Sequence, residues 1–89
     1  MTMTHHATAR AQKRGVPPLV VDLLLQFGVR EHDSRGAEIV YFDRRAKKHL
    51  ETYSGGLFGK LNEHLDAYVV VSEGRIVTVG PRQKRTNHI

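Results

Sequence analysis

The stretch Ala67-Tyr68-Val69-Val70-Val71-Ser72-Glu73-Gly74-Arg75-Ile76-Val77-Thr78-Val79 contains two valine-rich runs joined by a Glu-Gly pair. β-Branched residues in short runs suit strands, and a two-residue link ending in Gly suits a tight hairpin. With Ser72 opposite Arg75, simple counting pairs Val71 with Ile76, Val70 with Val77 and Val69 with Thr78. Both faces of such a hairpin are apolar. Either helices cover both sides or one side is a subunit interface, so a homodimer through the sheet is one expected partnership.

Upstream, Glu38-Ile39-Val40-Tyr41-Phe42-Asp43 is rich in strand formers and predicts another strand. Thr4 to Arg14 reads as a helix stopped at Gly15, where a left-handed residue ends it. Pro17-Pro18 opens a second helix, in which Leu19, Val20, Leu23, Leu24 and Phe27 recur at helical spacing until Gly28. Arg30 to Gly36 reads as a charged connector. Asp43 caps a third helix over 44–53, with Ala46, Leu50 and Tyr53 inward. Ser54-Gly55-Gly56 breaks it, and Leu57, Phe58, Leu61 and Leu65 predict a short fourth helix. The expected fold is α+β: two N-terminal helices packed on a small, mostly antiparallel sheet, with a helical excursion before the C-terminal hairpin.

The chain of 89 residues makes one domain, 1–89, with a basic tail at 83–89. Its 14 Lys and Arg exceed its 9 Asp and Glu, and the net charge of +5 suits polyanions. Cysteine is absent, which excludes disulfides, thiolate nucleophiles and sulfur-rich zinc sites. The apolar runs are too short to span a bilayer and no apolar leader core opens the chain, so no membrane partner and a cytoplasmic location are expected.

His6, Arg10 and Arg14 are spaced four apart, so a helix stacks them on one face. Histidine is the side chain that ordinarily titrates nearest neutrality, and arginine grips phosphate with paired donors. RNA cleavage without a metal needs a base for the 2′-hydroxyl, cations for the crowded phosphate and an acid for the leaving oxygen. The plainer alternative is a solvated helix face.

The pattern His6, Ala7, Arg10, Arg14, Gly15, Val16, together with Arg75-Ile76-Val77-Thr78-Val79-Gly80-Pro81-Arg82, resembles a family of small uncharacterised bacterial domains. Such domains are grouped with toxins of toxin–antitoxin pairs and are similar in layout to the RelE and barnase-like ribonucleases. The match spans 4–28 and 67–82; the middle, 43–66, departs from the compact hairpin of the family pattern. The resemblance implies metal-independent RNA cleavage and silencing by a cognate antitoxin.

Thr78 and Arg82 are candidates to join the catalytic set His6, Arg10 and Arg14, with Thr78 offering a hydroxyl to a phosphate. Arg44, Arg45, Lys47 and Lys48, with Lys84 and Arg85 of the tail, are candidate nucleic-acid contacts. Tyr41, Phe42, Tyr53 and Tyr68 are stacking candidates. No metal and no cofactor are expected, since the histidines show no ligand spacing such as His-Glu-x-x-His. The leading expectation is an RNA-directed, toxin-like ribonuclease. The alternative is a non-catalytic nucleic-acid or protein interaction module, or a homo-oligomer.

Overall fold

The computed structural model describes residues 2–81. In chain order it contains β1 (Thr2–Met3), α1 (His5–Lys13), α2 (Pro18–Phe27), β2 (Val29–His32), β3 (Glu38–Tyr41), α3 (Arg44–Ser54), α4 (Phe58–Leu61), β4 (Ala67–Ser72) and β5 (Arg75–Pro81). The strands form one sheet in the order β1-β5-β4-β3-β2. The β1–β5 pair is parallel and the other three are antiparallel. This is the expected α+β class.

Local signals explain most boundaries. The Thr4 hydroxyl accepts from the Ala7 N–H and starts α1. Gly15, at φ +68°, stops it. Asp43 Oδ1 accepts from the Ala46 N–H at 2.8 Å and caps α3. Gly28 ends α2 for a different reason. A Cβ there would stand 2.5 Å from the Leu24 carbonyl oxygen and 2.8 Å from Val40 Cγ1, so the chain passes too close for any side chain. The hairpin turn at Glu73 and Gly74 has φ of +52° and +76°, the double-positive geometry that matches strand twist.

Five expectations are corrected. The 30–36 connector is half strand: Arg30, Glu31 and His32 belong to β2, an edge strand whose exposed positions are charged. Asp33 then accepts from the backbone N–H of Arg35 and Ala37 to turn into β3. Tyr53 is 65% exposed rather than inward, resting its ring 4.9 Å from that of Phe27. The fourth helix is one α-turn, Phe58–Leu61, between two 3-10 turns, and Leu57 is 57% exposed.

The fourth correction concerns the hairpin register. Val71 does pair with Ile76, but Val70 pairs with Thr78 and Val69 with Val79. Val77 is an extra residue, a β-bulge. The counted register would turn Thr78 inward beside Val69. The bulge places Val79 there instead, and Val40, Val69 and Val79 form a fully buried row across β3, β4 and β5.

The last correction concerns how the hairpin is covered: helices do not lie on both of its faces. Core residues Ala67, Val69, Val71, Ile76 and Val79 join Val20, Leu24 and Leu50 of the helices. Tyr68, Val70 and Thr78 alternate with them and stay half-exposed. Among the described residues, helices therefore cover one face and leave the other open. No helix among the described residues is long and apolar enough to cross a membrane.

Candidate nucleic-acid interface

Helix α1 packs chiefly on β5. At its start the Thr4 N–H donates to the Ile76 carbonyl at 2.9 Å. At its end the Arg14 guanidinium lies over Gly80. A Cβ on Gly80 would sit inside 3.0 Å of Arg14 Nη1 and 3.4 Å from Arg14 Cδ and Cζ. Two anchors fix the direction. From Thr4 to Arg14 a helix rises about 15 Å, and from Ile76 to Gly80 a strand rises about 13 Å, so α1 and β5 run side by side in the same sense.

That alignment orders the candidate residues. His6, Arg10 and Arg14 are successive steps along α1, level with the course of β5 from Ile76 to Gly80. His6 and Arg14 are exposed, and Arg10 is half-buried. Thr78 pairs with Val70 and Gly80 with Tyr68, and directly paired residues share a face. Thr78 and the vacant side of Gly80 thus belong to the open face. The structure brings Arg14 and Thr78 to one strip at the β5 margin of that face.

The cations of the strip are not spent on internal pairs. Among the described residues no carboxylate lies in ion-pair contact with Arg10 or Arg14. Elsewhere Arg30 pairs with Glu38 at 2.9 Å and Lys47 with Asp66 at 3.6 Å, while His32 approaches Glu38 at 3.1 Å and His64 approaches Glu63 at 3.8 Å.

The basic residues of α3 lie apart from this strip. Arg44, Arg45 and Lys48 are exposed, and Lys47 is half-buried. α3 packs on α2, and Arg45 and His49 line a cleft of about 260 Å³ with Phe27, Asp43, Ala46 and Val29 of β2. This is the opposite margin of the sheet from β5. Arg82, Lys84 and Arg85 lie outside the described residues. No group of three or more His, Asp or Glu among the described residues is placed to hold a metal ion.

Of the stacking candidates, Phe42 is buried core. Tyr53 is on α3, away from the open face. Tyr41 and Tyr68 are direct cross-strand neighbours on that face. The Tyr41 hydroxyl donates to the Glu31 carboxylate. Glu31, Ile39, Tyr41, Tyr68 and Val70 line a shallow cleft of about 410 Å³.

Gly80 is the residue that sequence reading missed as part of the site. A glycine inside a strand is a signal of close approach, but nothing in the sequence says that Arg14 is what approaches. The comparisons add no relative: no family model, no curated protein and no solved structure matches this chain.

Proposed function

We propose that this chain is an RNA-directed protein of toxin type, acting as a metal-independent ribonuclease by general acid–base chemistry. One observation carries the reading. Arg14 is seated over Gly80, a residue with no side chain on the strand face that also carries Thr78; His6 and Arg10 precede it on α1, which packs on β5, and neither arginine has a carboxylate partner among the described residues.

In this reading the scissile phosphate sits at Arg10, one helical turn from His6 on one side and from Arg14 on the other. His6 accepts the 2′-hydroxyl proton as the 2′-oxygen attacks phosphorus. The bond from phosphorus to the 5′-oxygen breaks, and the proton passes from the imidazolium to that leaving oxygen. The products are a 2′,3′-cyclic phosphate and a free 5′-hydroxyl. Arg10 and Arg14 hold the extra negative charge of the crowded phosphorus, and the Thr78 hydroxyl donates to a phosphate oxygen. An antitoxin would silence the protein by covering this cationic strip.

The second reading, a non-catalytic interaction module, is favoured by the exposure of His6, which among the described residues stands open to water. One experiment separates the two. A labelled single-stranded RNA is incubated in EDTA with wild type, His6→Ala and Arg14→Ala, and both binding and cleavage are read. The ribonuclease reading expects cleavage by wild type, none by His6→Ala with binding kept, and weaker binding by Arg14→Ala. Binding without cleavage selects the interaction module. No binding at low salt overturns the RNA-directed reading altogether.

A further inference from the structure

One rung of the open face reads Tyr41, Tyr68, Gly80 in directly paired positions across β3, β4 and β5. The Arg14 guanidinium occupies the place that a side chain on Gly80 would take. Strand spacing sets these groups at roughly 5 Å steps, so a cation, then two phenol rings, stand in line across the sheet. The adjoining rung reads Glu31, Ile39, Val70, Thr78 and supplies an apolar floor between a carboxylate and a hydroxyl.

We infer that this face is a stacking platform for unpaired bases, and that the ligand is single-stranded rather than duplex RNA; the inference rests on the RNA-directed reading above. The half-exposed Tyr68 ring offers an apolar face to a base beside Tyr41, and stacking needs no particular base because every base has a π-face. The charge order sets the strand's orientation. Arg14 draws the phosphate backbone to the β5 margin, while the Glu31 carboxylate, held by the Tyr41 hydroxyl, keeps phosphate away from the β2 margin. Bases then point from β5 toward β3, over Tyr68 and Tyr41. A duplex cannot bind this way, since its base faces are already stacked on one another. The competing occupant is a second copy of the chain closing over the same face.

The test uses the full chain and two fluorescent 12-nucleotide strands, one ordinary single-stranded RNA and one abasic strand of equal charge. The expected result is tighter binding of the base-bearing strand. Tyr68→Leu lowers that affinity by about fivefold or more, the low end for losing one base–aromatic stack, and leaves the abasic strand unaffected. Tyr68→Phe keeps the wild-type preference. The chain has 3 tyrosines and no tryptophan, so tyrosine emission gives a second readout. RNA quenches it in wild type, and less so in Tyr68→Phe. Equal affinity of wild type for both strands overturns the stacking inference and leaves the phosphate strip standing. So does sedimentation showing a stable dimer that RNA does not dissociate and that Tyr68→Leu breaks. Wild type that binds neither strand removes the RNA-directed reading and this inference with it.

Discussion

Gly80→Ala tests the strip without touching a charge. The new Cβ would fall inside 3.0 Å of Arg14 Nη1 and 3.4 Å from Cδ and Cζ. Ordinary carbon contacts lie near 3.5–4.0 Å, so the guanidinium must withdraw by on the order of 1 Å. Gly80 has no positive φ, so alanine fits its backbone, and a compatible Gly→Ala change gains roughly 0.4–1 kcal/mol through the unfolded chain. Moving the end of a flexible arginine costs little against that. The folded protein should keep its stability to within about 1 kcal/mol.

RNA binding should not survive as well. A charge-assisted hydrogen bond is worth about 1.5–3 kcal/mol, so losing Arg14 from one phosphate weakens binding by about tenfold or more. For single strands each neutralised phosphate adds about 0.7 to the slope of log affinity against log salt, and the variant should lose about that amount. The assay is fluorescence anisotropy of a single-stranded RNA across a salt series, beside urea unfolding. Combining Gly80→Ala with Arg14→Ala should add nothing to either single change, because both remove the same contact. Two outcomes refute the reasoning. A loss of stability beyond about 2 kcal/mol would make Arg14 a structural strut. An unchanged salt slope would mean that Arg14 holds no phosphate.

Three further changes address the fold. Gly28→Ala sets a Cβ 2.5 Å from a backbone carbonyl, which cannot swing aside, so unfolding should become easier by about 1–3 kcal/mol in urea titration. Asp43→Ala removes the cap of α3 and should cost about 1 kcal/mol, seen as a lower thermal midpoint. Asp33 has its carboxyl held below the ordinary value, chiefly by the Arg35 backbone N–H and next by that of Ala37. A depressed carboxyl stabilises the fold above its unfolded pKa, and that share is lost as pH falls through the folded one. The stability gap between wild type and Asp33→Asn should therefore narrow on acidification below about pH 4, and a gap that widens there would contradict the assignment.

What the sequence revealed, it revealed through local chemistry. Gly15, the Asp43 cap and the Glu73-Gly74 turn each act within four residues of themselves, and each stands where the pattern placed it. β2 escaped because an edge strand is free to be polar on its exposed positions, so Arg30, Glu31 and His32 resemble a loop. β1 is two residues long and its only argument is its partner, β5, some 73 positions away at the Thr2–Arg75 pair. Tyr53 follows the spacing of Ala46 and Leu50, but it lies near the end of α3, where little remains to pack on beyond the Phe27 ring.

The site itself depends on the single residue that counting from the turn overlooks. In an unbroken ladder, Thr78 would lie beside Val69 in the core and Gly80 beside Ala67, which is also buried. Neither would reach the open face, and Arg14 would have no vacant position beside Tyr68 to fill. Because side chains alternate with period two, one inserted residue exchanges the faces of everything that follows. Val77 makes that exchange, and the hydrophobic pattern favours it. Ile76 and Val79 are both buried, yet they stand three apart, an odd spacing that a regular strand cannot place on one face. Burial of Val79 against Val69 and Val40 thus selects the bulge, and the bulge in turn delivers a hydroxyl and a glycine without a side chain to the margin where Arg14 lies. The packing of the core and the layout of the candidate site are consequently set by the same two residues, Val77 and Val79.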